Sequence, residues 1–141
     1  MYNKILVPID GSKEARKALE EAVYLAGLSK ASLTLMHVVD LNKAIPAFER
    51  VDIDGYFPEA LKEKGHEFLA DFIEDVPEAI KVEAVVEIGR PTEMIVKVAK
   101  EGRYDLIIMG SRGLGMLENL IIGGVSQHVL QHAACPVLIV R

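Results

Sequence analysis

The sequence predicts an α/β protein, an open sheet of five parallel strands covered by helices on both faces. Short apolar runs alternate with stretches of helical periodicity along the whole chain, and that order generates parallel βαβ units. The first, fourth and fifth runs are almost wholly apolar, as strands buried on two sides are. The chain has 141 residues, half of them apolar, enough for a substantial core and one domain over 1–141.

Each element has its own signal. KILVPI (Lys4–Ile9) reads as a buried strand stopped by Asp10-Gly11-Ser12, with Ser12 placed to cap a helix. Ala15, Ala18, Leu19, Ala22, Val23 and Ala26 follow at helical spacing, and Gly27 lies near the expected stop. SLTLMHVV (Ser32–Val39) is the second strand. A second helix is predicted from Pro58 to about Val76, with Leu61, Phe68, Leu69, Phe72 and Ile73 inward and Gly65 as its weak point. KVEAVVEI (Lys81–Ile88) alternates at period two, which puts Val82, Ala84, Val86 and Ile88 on one face. Pro91 suits the first position of a third helix and Gly102 its end. YDLIIMG (Tyr104–Gly110) is the fourth strand. The glycine-rich stretch Gly110–Ser126 then leads into a helix containing Val125, Val129 and Leu130, and PVLIV (Pro136–Val140) is the fifth strand. The long connection from Asp40 to about Phe57 reads equally as a functional lid and as a variable surface insertion.

Charge and composition exclude several classes. The net charge is −5 and the basic residues are scattered, which argues against a nucleic-acid surface. No apolar run has the length of a membrane helix, and the start MYNKILVPID carries no secretory leader. The lone Cys135 excludes an intramolecular disulfide and a multi-cysteine metal site, and suits a reducing cytoplasm. A small anionic ligand stays compatible with an acidic chain, because backbone dipoles can hold it.

Ligands of open parallel sheets bind beyond the carboxyl ends of the strands, where the strand order reverses. Two connections are unusual at that edge. PIDGS (Pro8–Ser12) follows the first strand, and the fourth is followed by a stretch that opens with Gly110, Gly113 and Gly115 and closes with Gly123-Gly124-Val125-Ser126 at a helix start. Unpaired N–H groups and the helix dipole would hold a phosphate there without a lysine. Arg112 would add a movable charge, or be a solvated loop residue. Asp10 could accept from a ribose hydroxyl, hold a phosphate-bound Mg²⁺, or cap the helix that follows. No Gly-Lys pair exists, so there is no Walker loop, and PIDGS has one glycine where the dinucleotide fingerprint needs three.

The spacing Gly110-x₂-Gly113-x₉-Gly123 after Met109 resembles the phosphate-binding motif of the universal stress protein family. KILVPIDGS resembles that family's opening and CPVLIVR its closing strand, so the likeness covers essentially the full chain. It implies a Rossmann-like sheet of order 3-2-1-4-5, a homodimer through the strand at 137–140 and, in one branch, bound ATP. It implies adenine and ribose contacts at Pro8, Ile9, Asp10 and Val38, and phosphate contacts at Gly110, Arg112, Gly113, Gly123, Val125 and Ser126. One position departs. The motif continues from its last glycine with serine or threonine, and here that residue is Gly124. A charge-assisted hydrogen bond lost there costs about one to two decades of affinity, which favours AMP or ADP over ATP.

Other polar residues read as structural. His128 and His132 have a metal-chelating spacing but no evident third ligand, and His132 would cap its helix. His37 reads as a packed, satisfied histidine, Met36, Met94 and Met109 as core, Cys135 as a buried small hydrophobe, and Lys62-Glu63-Lys64 as a solvated helix face. Three functions fit this pattern. The chain could be an adenine-nucleotide-binding regulator of the stress response with an unknown protein partner, a slow Mg-dependent ATPase, or a dimeric interaction module without a nucleotide. No catalytic base is evident near the expected phosphates.

Overall fold

The computed structural model describes residues 2–40, 57–113 and 121–141. Within them the chain runs β1 (Lys4–Pro8), α1 (Lys13–Ser29), β2 (Ser32–Val39), α2 (Phe57–Glu74), β3 (Val82–Ile88), α3 (Pro91–Glu101), β4 (Leu106–Gly110), α4 (Gly124–His132) and β5 (Val137–Val140). All pairings are parallel, and the strand order is β3-β2-β1-β4-β5. Among the described residues no helix is long and apolar enough to cross a membrane.

The period-two pleat sorts the strand side chains into two cores. Ile5, Val7, Leu33, Leu35, Leu106 and Ile108 meet the apolar faces of α1 and α2. Leu6, Met36, Ile107 and Met109 meet α3 and α4 through Ile95, Ala99 and Val129. Truncating a fully buried residue such as Leu35 or Ile107 to alanine costs about 2–5 kcal/mol. Gly65, a weak point by propensity, is a packing residue. A Cβ there would stand 2.5 Å from Val86 Cγ1, so glycine lets α2 lie against β3.

Gly27, which is exposed, does lie near the end of the first helix. The helix continues to Ser29 and stops where Lys30 turns left-handed at φ 60°. Its continuation past a glycine costs about 1 kcal/mol relative to alanine. Two local expectations are corrected. The fourth strand begins at Leu106, because Tyr104 still closes α3 by donating its N–H to Ala99 O at 3.0 Å. The apolar β5 is not buried on two sides. It forms the sheet edge, with Leu138 at 37% exposure. The proposed lid and Gly115 lie outside the described residues.

Candidate functional site

β1 and β4 are neighbours, yet the chain leaves them toward opposite faces of the sheet, β1 into α1 and β4 into α4. Their carboxyl ends therefore part, and a cavity of about 370 Å³ opens between them. That volume lies in the range of small-molecule sites, roughly 300–1,000 Å³. Its walls are the end of β1 with Pro8, Ile9 and Asp10, the end of β2 with Val38, and the end of β4 with Met109 and Gly110. Arg112 and Gly113 continue the wall to the start of α4, where Gly123, Gly124, Val125 and Ser126 complete it. Among the described residues, the structure thus brings together those that the sequence singled out for a ligand, Gly115 lying outside them.

Contacts at the two loops hold the crevice in shape. Ser12 caps α1 by accepting the Ala15 N–H at 3.1 Å, and its hydroxyl donates to Arg112 O at 3.4 Å. Asp10 Oδ1 accepts the Ser12 N–H at 2.9 Å, so the carboxylate does help to shape the entry to α1. A Cβ on Gly113 would stand 2.6 Å from Asp10 Oδ2, and glycine is what lets the acid lie against the second loop. Arg112 is neither solvated nor movable at no cost. It is 26% exposed and forms a 2.9 Å ion pair with Glu14, itself 17% exposed. The Glu14 carboxyl is held below the usual range, chiefly by a hydrogen bond from its own backbone N–H and further by Arg112, against the opposing effect of burial. The stability from this shift is present above the unfolded carboxylate range and is lost as pH falls through the lowered value.

The start of α4 is built differently. Gly123 is its N-cap, extended at φ −86° and ψ 171°, and brings no side chain to cap with. The Gly123 N–H donates to Ser111 O at 2.6 Å, and the first helical bond runs from the Gln127 N–H to Gly123 O at 3.0 Å. The N–H groups of Gly124, Val125 and Ser126 are the first three of the helix and have no intrahelical acceptor. Their residues line the cavity. Ser126 is 2% exposed and its hydroxyl donates into the loop, 2.7 Å from Ser111 O and 3.1 Å from Gly123 O. Its one proton is therefore spent on the fold, and the residue presents a backbone N–H rather than a hydroxyl. Among the described residues, apart from its chain neighbours and its own helix backbone, Gly124 has no atom within 4 Å of where a Cβ would stand, and the positive-φ glycines are Gly11 and Gly89. Strain does not explain this glycine.

The whole chain, residues 1–141, matches the Universal stress protein family. The chain belongs to that family. It is 37% identical over 150 residues to the universal stress protein YxiE of Bacillus subtilis (strain 168), with 100% of each chain covered. Among solved structures, universal stress protein UspA from Lactobacillus plantarum superposes with a TM-score of 0.79 at 30% identity, over 99% of this chain and 98% of that one. Two more distant structures share the fold. One is a universal stress protein in complex with cAMP, at 22% identity and TM-score 0.72, covering 99% of this chain and 97% of its own. The other is from Archaeoglobus fulgidus in complex with dAMP, at 19% identity and TM-score 0.70, covering 99% and 98%.

This universal stress protein adds wall residues that the sequence reading passed over. His37 is packed and satisfied, with Nδ1 2.9 Å from Ile9 O and its ring 4.5 Å from Phe68, and it also lines the cavity. Ser12, Asp40 and Pro91 do so as well. For Ser12, Asp40 and Pro91 the signal was available, since each sits just past a strand or at a helix start on the ligand edge. Outside the cavity, His132 Nδ1 lies 2.9 Å from His128 O and the two rings stack at 4.2 Å, a helix-end arrangement. No group of three metal-ligating side chains occurs among the described residues. Met36 and Met109 are buried as expected, whereas Cys135 is only half-buried, against the second core. Partial burial pushes its thiol up.

Proposed function

We propose that the protein is an adenine-nucleotide-binding regulator of the stress response, acting in the cytoplasm as a homodimer whose occupancy changes its shape or its choice of protein partner. One observation carries the reading. The cavity joins apolar strand ends to an uncapped helix start, an arrangement suited to a flat base at one side and a phosphate at the other. In this reading Pro8, Ile9, Val38 and Met109 wall the base and Asp10 takes the ribose. Gly110, Gly113 and Gly123 bring the backbone close to the phosphate, which the N–H groups of Gly124, Val125 and Ser126 hold. The cAMP and dAMP complexes of the same fold support an adenine nucleotide as the occupant. ATP, ADP and AMP are the candidates, and Mg²⁺ arriving with a polyphosphate would find the carboxylate of Asp10, with Asp40 also on the cavity wall, to add to phosphate oxygens, a donor set that Mg²⁺ uses.

The experiment is mass spectrometry of the small molecules released on denaturing the purified protein, with calorimetry of ATP, ADP and AMP. Stoichiometric adenine nucleotide without turnover is the expected result. Steady phosphate release from Mg-ATP would instead favour a slow ATPase. No bound nucleotide and no measurable affinity would favour the dimeric interaction module, the reading to which the missing hydroxyl at Gly124 points.

The dimer is proposed to form through β5. An apolar strand at a sheet edge, with Leu138 exposed, invites pairing with a copy of itself about a two-fold axis. Glutamate at both Leu138 and Val140 is expected to move the sedimenting species to the monomer mass. A wild-type protein already monomeric at micromolar concentration would contradict the dimer.

A further inference from the structure

Among the described residues that line the cavity, the one cationic side chain that stays charged at every physiological pH is Arg112. It sits beside the backbone donors that would hold a phosphate, yet its guanidinium is engaged by Glu14 at 2.9 Å. The partners are 98 residues apart in the chain, and the packing that joins them is built into the fold. Gly110 ends β4 directly beneath the first turn of α1. A Cβ on Gly110 would stand 2.7 Å from the carbonyl carbon and Cβ of Glu14 and 2.9 Å from the Ala15 nitrogen. Any larger residue at 110 would push the first turn of α1 away. Gly110 thus does more than open a loop: it brings a carboxylate within reach of the arginine of the opposite connection. Both side chains are largely shielded from water, so the contact is screened less than a surface ion pair.

We propose that Glu14 is a positioning residue that sets the charge class of the ligand: by holding Arg112 it favours an adenine nucleotide with one phosphate over the triphosphate. The inference rests on the adenine-nucleotide reading and names the occupant within it. A monophosphate needs little more than the neutral N–H groups at the start of α4. A triphosphate brings several further negative charges, and the guanidinium that would meet them is already neutralised. Transferring Arg112 from Glu14 to a phosphate exchanges one charge-assisted hydrogen bond for another and leaves a shielded carboxylate near the anion.

The test is calorimetry of AMP and ATP on the full chain, comparing wild type with Glu14→Gln, Glu14→Ala, the double variant Glu14→Gln/Arg112→Gln, and Glu21→Gln. Glu21 is an exposed residue of the same helix outside the cavity, so its variant removes an equal charge without touching Arg112. Wild type is expected to bind AMP at least as tightly as ATP. Both Glu14 variants are expected to raise ATP affinity about tenfold and AMP affinity by no more than about threefold. The gain should vanish in the double variant and be absent in Glu21→Gln. An unchanged ATP-to-AMP ratio in folded Glu14 variants overturns the inference, as does an equal shift in Glu21→Gln. Wild type binding ATP tenfold more tightly than AMP overturns it without any variant. Failure of every protein to bind either nucleotide removes the adenine-nucleotide reading itself, and this inference with it.

Discussion

Of the helices that begin at the crevice, α1 and α4 are finished in opposite ways. At α1 the N-cap is Ser12, whose hydroxyl takes the Ala15 N–H, and Asp10 takes the N–H of Ser12. At α4 the N-cap is Gly123, with nothing beyond Cα, and the Ser126 hydroxyl donates away into the loop. With glycine at the N-cap, a helix start gives up about a few tenths of a kcal/mol relative to serine or aspartate. The fold accepts that small loss at α4 and avoids it at α1. In the proposed function, the difference separates a helix end that the protein itself completes from one that a ligand would complete.

The comparison can be broken most forcefully at Gly124, where a side chain has open space and a helical backbone. Gly124→Asp places a carboxylate in the first turn of α4. It suits the helix dipole and so should leave the melting temperature unchanged or slightly raised. Toward a phosphate at about 5 Å it repels by about 3 kcal/mol at an effective dielectric near 20, so nucleotide affinity is expected to fall about 100-fold. Calorimetry beside thermal melts reads both.

Asp10→Ala comes next. Nucleotide affinity is expected to drop about tenfold, because a ribose acceptor is lost, while the protein stays folded and gives up about 1 kcal/mol with the Ser12 N–H contact. Unchanged affinity in calorimetry would leave Asp10 with its loop-shaping role alone. Gly124→Ser runs in the opposite direction from Gly124→Asp. It restores a donor in open space without strain, so ATP affinity should rise by up to about tenfold and AMP affinity by less. The smallest effect belongs to the capped helix. Ser12→Ala is expected to cost about 1 kcal/mol of stability in urea unfolding and to weaken nucleotide binding less than Asp10→Ala does.

The two helix starts also show what was legible in the sequence. Strand and helix identities follow from periodicity, which is a property of neighbouring residues, and Ser12 as a cap and Pro91 at a first helical position are equally local. The glycine spacing of the second loop pointed to the cavity because backbone approach leaves its mark in residue type. Glu14 holding Arg112 left no such mark. It depends on Gly110 admitting α1 onto β4, a contact across the crevice between distant parts of the chain. Gly65 misled for the same reason, since propensity sees its entropy and not the Val86 side chain above it. The apolar run of β5 signalled a strand but not its place, because an edge and a centre can share one composition. At Lys30 a left-handed residue ended α1 without glycine, and nothing in residue type announced it.

The most direct measurement is the backbone amide spectrum of ¹⁵N-labelled protein titrated with AMP. If α4 is the helix end that a phosphate completes, the Gly124, Val125 and Ser126 amides should shift strongly downfield in step with saturation, as new hydrogen-bond donors do, while the already capped Ala15 amide moves little. Saturable binding that shifts Ala15 or residues outside the cavity, and leaves those three amides in place, would contradict the account.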